Sequence, residues 1–316
     1  MVQFYKYYLS VVVPVMNEED NVLLMIEAVE KAVSRYNYEL ILVDDGSTDA
    51  TANRIKDHLT ENIKLVELRK NYGQSTAMTA GIDHCTGQYI TMLDGDLQND
   101  PSDIPMMLEK LIREDWDVVA GNRANRKDGM VLRKIPSKIA NALIRRWTGV
   151  YIKDYGCTLK VFKAEIAQEL GLYGELHRFI PVLAAMQGAR ITQVDVKHHP
   201  RRFGSSKYGI GRTTRVMSDL LTMVFFRKYI QRPMHLFGAV GFVLMFIGVI
   251  INLYLLTLKL MGNDIGGRPL LVVGMIFLLG GIQLLTVGIV AEISIRNYFE
   301  GTGRKTYNVR KVWEKN

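Results

Sequence analysis

Charge is absent from two long stretches of this sequence. Residues 236–258 (LFGAVGFVLMFIGVIINLYLLTL) and 270–291 (LLVVGMIFLLGGIQLLTVGIVA) contain no Asp, Glu, Lys or Arg. A helix of roughly 22 residues rises about 33 Å, and the hydrocarbon core of a bilayer is about 30 Å thick. Soluble helices seldom run so far without a charge, so the absence argues against a buried hairpin and predicts two membrane spans. Cysteine is nearly missing too. Cys85 and Cys157 are the only two, which excludes a disulfide scaffold, and without zinc-ligand spacing they read as reduced packing residues. No nucleic-acid-binding motif accompanies the formal charge of +8. The excess cation is assigned to a membrane and a diphosphate, not to nucleic acid. Internal repeats and low-complexity segments are lacking, and no signal peptide precedes the first apolar run.

The cations that are present set an orientation. Arg227, Lys228 and Arg232 precede the first uncharged stretch, and Arg296, Arg304, Lys305, Arg310 and Lys311 follow the second. The connection between them carries only Lys259 and Arg268 against Asp264. The positive-inside rule then predicts a multi-pass membrane protein with both termini cytosolic and a short loop outside. A catalytic domain in that position is fed by cytosolic nucleotides.

The first half of the chain alternates. Apolar runs predict strands over 9–15, 39–43, 63–68, 89–93 and 117–121, and helical patterns predict helices over 19–36, 48–59, 74–85 and 101–114. Such alternation implies an α/β fold with a mainly parallel sheet and helices on both faces, where ligands bind beyond the carboxyl ends of the strands. Beyond Gly121 the pattern loosens. Residues 132–147 read as a basic amphipathic helix, either at a membrane surface or packed on the domain, and 213–231 as a second leading into the membrane. The expected organisation is a catalytic domain over 1–210, an interface helix over 211–232, two spans within 233–292 and a basic cytosolic tail over 293–316.

Each polar motif falls at a predicted strand end. DGDLQNDP (Asp94–Pro101) is the strongest, because two carboxylates two residues apart can share one divalent cation and leave room for a diphosphate. Asp96 is expected to ligate the cation directly, Asp94 to be shared between metal and sugar or ribose, and Gln98 to add a neutral oxygen; Mg2+ or Mn2+ suits such donors. VDDGSTDAT (Val43–Thr51) offers Asp44 and Asp45 to a nucleotide base or ribose, or else to the turn itself, before a helix capped by Thr48 or Asp49. In PVMNEED (Pro14–Asp20), Pro14 stiffens the strand exit, Asn17 and Glu18 face the nucleotide, and Glu19 and Asp20 read as first-turn acids of the following helix. LRKNYGQS (Leu68–Ser75) brings Lys70 and a glycine to a helix N-terminus, a natural anion site. Arg123, Arg133, Arg201, Ser206 and Lys207 supply two cationic clusters for two phosphates.

These motifs, with DYGC (Asp154–Cys157) and RRFGSSKY (Arg201–Tyr208) and the two spans, resemble the family 2 glycosyltransferases that act on polyisoprenyl phosphates. The likeness covers essentially the whole chain and points to the bacterial undecaprenyl-phosphate glycosyltransferases, with dolichyl-phosphate mannose synthases sharing the catalytic part. It implies a GT-A-type nucleotide-binding sheet, Asp94, Asp96 and Gln98 near the cation, and Asp44 or Asp45 at the nucleotide. Arg123, Arg133, Arg201 and Lys207 then surround the two phosphates, and the assembly is a homo-oligomer, often a tetramer. Ser205 stands where many such proteins carry Glu. The reaction implied is inverting, metal-dependent transfer of a sugar from a nucleotide sugar, UDP-linked in preference to GDP-linked, to undecaprenyl phosphate. Asp154 is the candidate base, or else orients the acceptor, the sugar or the arginines. A processive synthase is disfavoured because Leu143 stands where Gln-x-x-Arg-Trp requires glutamine. A flippase or scaffold is the non-enzymatic alternative.

Overall fold

The computed structural model describes residues 5–124, 145–146, 149–172, 174, 176–201 and 233–302. The chain divides into two compact units, residues 1–220 and 221–316. In the first, the described strands are β1 (Tyr7–Val15), β2 (Tyr38–Asp44), β3 (Ile63–Glu67), β4 (Gly87–Met92), β5 (Val118–Asn122), β6 (Lys160–Lys163) and β7 (Ile191–Asp195). They form one sheet in the order β3-β2-β1-β4-β6-β5-β7. The pairs β1–β2, β2–β3, β1–β4 and β5–β7 are parallel, while β6 runs antiparallel to β4 and β5.

Strand side chains alternate between faces, and here both faces are covered, which is why β1 and β2 read as nearly unbroken apolar runs. Leu9, Val11, Val13, Leu40 and Leu42 share one core with α1 (Val22–Val33) and α4 (Ile104–Arg113). Val12, Ile41 and Val43 point into the other with α3 (Gln74–Asp83), α5 (Ala164–Gln168) and α6 (Ile180–Met186). A short helix, α2 (Thr51–Lys56), follows β2.

Two helix starts differ from expectation. Helix α1 begins at Val22 with no acid in its first turn. Glu19 instead accepts from the Ala50 amide at 3.1 Å, so it joins two loops in place of complementing the α1 dipole. Helix α2 begins at Thr51, because Asp49 accepts from the Thr51 amide at 2.9 Å and holds the preceding residues in a turn. Strands β6 and β7 lie where the sequence pattern loosens; β6 spans four residues, and the side chains of β7 are only partly covered.

The second unit contains α7 (Met234–Leu260) and α8 (Pro269–Thr302), each long and apolar enough to cross a membrane. The two pack on glycine: a Cβ on Gly281 would stand 2.6 Å from the Gly241 carbonyl oxygen, and one on Gly248 would stand 2.5 Å from the Leu278 nitrogen. Only 17% and 11% of their most apolar windows are buried. Most of their apolar surface is thus left uncovered.

Candidate active site

Parallel pairing aligns Val15, Asp44 and Glu67, so the segments that follow β1, β2 and β3 emerge on one rim, and β4 delivers Asp94-Gly95-Asp96 to the same rim. Gly95 crosses the end of β1 at a distance only glycine allows, since a Cβ there would come within 2.7 Å of Val15 Cγ1. Half-buried Pro14 lies just below, paired with Val43.

The loops after β1 and β2 interlock. The Asn17 backbone is left-handed (φ 50°), its amide donates to Ser47 Oγ at 2.9 Å, and its Oδ1 accepts from the Thr48 amide at 2.8 Å. Asp44 is buried and accepts from the Ser47 amide at 3.3 Å and from the Ser47 hydroxyl. Burial raises its pKa above the ordinary carboxylate value, more than the Ser47 bonds lower it. Asp45 faces the other way, and its two oxygens accept from the amides of Tyr72 (2.7 Å) and Gly73 (2.9 Å). It therefore tethers the loop that precedes α3. Gly46 (φ +73°) passes so close to that loop that a Cβ would lie 2.6 Å from the Lys70 carbonyl carbon. Lys70 is exposed, with its ammonium 5.1 Å from the centre of the Tyr72 ring.

At the centre, both oxygens of Asp94 are engaged. Gln74 Nε2 donates to Oδ1 and Thr158 Oγ1 to Oδ2, each at 2.6 Å. Burial first, and the neighbouring Asp96 second, push Asp94 up to about 6. Asp96 accepts from the Gln98 amide at 3.1 Å, and its other oxygen takes Arg201 Nη2 at 3.0 Å. The same guanidinium lies 3.5 Å from Glu18, which also accepts from Asn21 Nδ2 at 2.6 Å.

Arg201 is delivered by a segment zipped along the acidic loop. The His199 amide donates to the Gln98 carbonyl at 2.8 Å, and the Lys197 amide to Asp103 at 2.6 Å. An adjoining bridge between Asn99 and His198 holds the two segments in register. Among the described residues, no three or more His, Cys, Asp or Glu side chains gather as a ready metal cage. The donor set still suits a hard cation, because Asp94 and Asp96 bring two carboxylates close enough to raise the pKa of Asp94, and a divalent ion takes oxygen ligands of this kind.

A second acid–base pair lies across from these residues. Arg123, just past β5, donates Nε to Asp154 Oδ2 at 2.6 Å and Nη2 to Oδ1 at 3.0 Å. The Gly156 amide adds a bond of 3.1 Å to Oδ1. Burial alone raises the pKa of Asp154, but the Arg123 bonds and charge outweigh it and hold the carboxyl below its ordinary value. Arg123 is correspondingly raised against the effect of its own burial. A carboxylate held this way is a weak base and a firm positioner of a guanidinium. Buried Lys160 donates to the Cys157 carbonyl, and burial lowers its pKa.

The rim thus gathers Pro14, Asn17, Glu18, Asp44, Asp45, Lys70, Asp94, Asp96 and Gln98, with Arg123, Asp154 and Arg201 from later elements. Arg133, Ser206 and Lys207 lie outside the described residues, as do the two amphipathic segments apart from Arg145 and Arg146. Gln74, Thr158 and Lys160 were not singled out from the sequence. Gln74 lies inside RKNYGQS and Thr158 directly after DYGC, but nothing in one sequence says that both reach Asp94.

Residues 10–171 match the family described as Glycosyl transferase family 2. The chain belongs to glycosyltransferase family 2. The transferase is 48% identical over 314 residues to dodecaprenyl-phosphate galacturonate synthase of Rhizobium johnstonii, covering 97% of this chain and 93% of that one. It is 35% identical over 310 residues to the undecaprenyl-phosphate 4-deoxy-4-formamido-L-arabinose transferase of Photorhabdus laumondii, covering 96% and 93%. Among solved structures, glucosyl-3-phosphoglycerate synthase of Mycobacterium tuberculosis, in complex with Mn2+ and UDP, superposes with a TM-score of 0.52 at 18% identity, covering 70% and 80%. That likeness establishes the GT-A-like mixed α/β sheet of this glycosyltransferase. The similar proteins are sugar transferases, which sets aside the flippase or scaffold alternative.

Proposed function

We propose that this glycosyltransferase moves a sugar, with inversion, from a UDP-sugar to the phosphate of a polyisoprenyl lipid, undecaprenyl phosphate in the first instance. The observation that carries the reading is Arg201 on Asp96, which brings a phosphate-binding cation to the acidic residues where a donor diphosphate would be held. Arg123, fixed by Asp154, supplies the second cation. The relative at 48% identity is named for galacturonate, so a UDP-uronate is the donor to test first.

The chemistry asks little of a base. A phosphate monoester has its second pKa at about 6, so the acceptor is already an oxyanion at neutral pH. An Asp154 held below its ordinary value by Arg123 fits that reaction better as a positioner than as a proton acceptor. Transfer then depends on in-line placement of the acceptor and on cations that stabilise the departing diphosphate. Asp96, with Asp94 and Gln98 beside it, would hold Mg2+ or Mn2+, which neutralises the leaving diphosphate. Asp44, Asn17 and Glu18 flank the nucleotide, and Lys70 stands at the exposed edge.

Helices α7 and α8 cross the inner membrane in this reading, with the catalytic unit and both termini cytosolic, and the protein is a homo-oligomer. The test is a radiolabel transfer assay on purified protein with undecaprenyl phosphate, Mn2+ or Mg2+, and a panel of UDP- and GDP-sugars. Label entering the organic phase only with lipid phosphate present, and lost in Asp96→Ala, supports the reading. Transfer from no donor in the panel overturns it.

A further inference from the structure

Two side-chain amides, Asn252 and Gln283, lie within the charge-free stretches of α7 and α8, and the structure gives them different surroundings. Asn252 of α7 donates to the Gly248 carbonyl at 2.7 Å, and its Nδ2 lies 2.9 Å from where a Cβ on Gly274 would stand, within the contact between α7 and α8. Gln283 of α8 is exposed. Helix α8 meets α7 along Gly274, Gly281 and Gly288, a seam that repeats every seven residues. At about 100° per residue, Gln283 stands roughly 140–180° around the helix from that seam. Its amide cannot turn toward α7.

Depth matters as much as direction. The charge-free part of α8 runs over 270–291, with Glu292 directly after it. At about 1.5 Å per residue, Gln283 lies roughly 12–20 Å from its ends, too far for its side chain to reach water. A primary amide carries two N–H donors and a carbonyl acceptor, and hydrocarbon satisfies none of them. Gly280, one turn before it, adds a second observation. A Cβ on Gly280 would meet nothing within 4 Å, whereas at Gly274, Gly281 and Gly288 it would meet α7 atoms within 2.7, 2.6 and 2.8 Å. The contact with α7 does not require glycine at 280. The missing side chain leaves a flat notch beside the amide where another helix backbone can approach.

We infer that Gln283, with Gly280 beside it, is a contact between two copies of this chain inside the bilayer, the two amides hydrogen-bonding each other. The inference rests on the membrane reading of α8 proposed above. A second copy is the fitting occupant because copies inserted the same way present Gln283 at the same depth. An amide also both donates and accepts, so like meets like across a two-fold axis with partners for both. A polyisoprenyl chain is apolar along its length and offers the amide nothing.

The full-length protein in lipid vesicles provides the test. Gln283→Cys is expected to form a disulfide-linked dimer under mild oxidation, with the wild type, whose Cys85 and Cys157 are buried, as the control. Gln283→Leu is expected to weaken self-association by roughly five- to thirty-fold, read by dilution with fluorescently labelled subunits, while Gln283→Asn retains it. A cysteine at 283 that is shielded from a membrane-impermeant maleimide yet yields no dimer overturns the contact and leaves the membrane reading standing. Unchanged self-association in Gln283→Leu overturns it equally. Ready labelling of that cysteine from water overturns the membrane reading and the inference together.

Discussion

Asp154 and Asp94 show how a carboxylate's partners decide its work. Both are acids on the same rim, yet Arg123 holds one below its ordinary pKa while burial pushes the other up to about 6. Asp154→Asn keeps an oxygen for one Arg123 donor and loses the charge, so transfer is expected to fall about tenfold, against near-complete loss in Asp96→Ala. Comparable losses in the two variants, measured as kcat/KM, would reverse that ranking. Thr158→Val keeps the shape and removes a 2.6 Å bond to Asp94. A hydrogen bond to a charged group contributes about 1.5–3 kcal/mol, so a loss of roughly ten- to a hundred-fold in kcat/KM with little change in melting temperature is expected. The acids themselves were legible, because paired carboxylates at a strand end have few structural uses. Asp45 was less so: its sequence context matches Asp44, but its oxygens are taken by the amides of Tyr72 and Gly73. Adjacent strand-end residues point to opposite sides, and only the fold says what stands on each.

Strands β1 to β5 could be read from the sequence because each is a short, largely apolar run bounded by turn residues and followed by a helical pattern. Strands β6 and β7 could not, being short and, for β7, only partly covered. At the end of the strands away from the site, Glu39 of β2 binds three neighbouring elements at once. It accepts from Ser10 Oγ at 2.6 Å, the Thr86 amide at 2.6 Å and Lys64 Nζ at 2.6 Å. Burial raises its pKa, but these bonds outweigh it and leave the folded value below 4.5. The stability it contributes is therefore present above about pH 4.5 and is lost as pH falls through the lower folded value. Glu39→Gln should lower stability at pH 7 by about 2 kcal/mol and flatten the acid limb of a melting-temperature-against-pH curve. An unchanged acid limb would show that the group contributes nothing. In the second unit, Gly281→Leu places a side chain where even a Cβ would lie 2.6 Å from the Gly241 carbonyl. The α7–α8 contact should open, with a melting temperature in detergent lower by several degrees, whereas Gly280→Leu leaves it intact.

For the whole molecule the prediction concerns topology. The segment between α7 and α8 should be reachable only from outside, so Asn263→Cys is expected to react with an impermeant maleimide in intact cells, and Lys315→Cys only after permeabilisation. Labelling of both before permeabilisation would refute the orientation drawn from the flanking cations. Composition and order alone determined much of this protein. Runs of apolar residues set the strands, their alternation with helices set the parallel half of the sheet, and missing charge marked α7 and α8. Those features are local, and a single chain carries them in full. Tertiary structure decided the rest, since it depends on residues distant in sequence meeting in space. It brought Arg201 to Asp96 across 105 positions and Thr158 to Asp94 across 64. It inserted β6 antiparallel between β4 and β5, turned Asp154 onto Arg123, and left Gln283 on the far side of α8 from α7. No periodicity records such meetings, because each is settled by which strands pair and which helix faces pack.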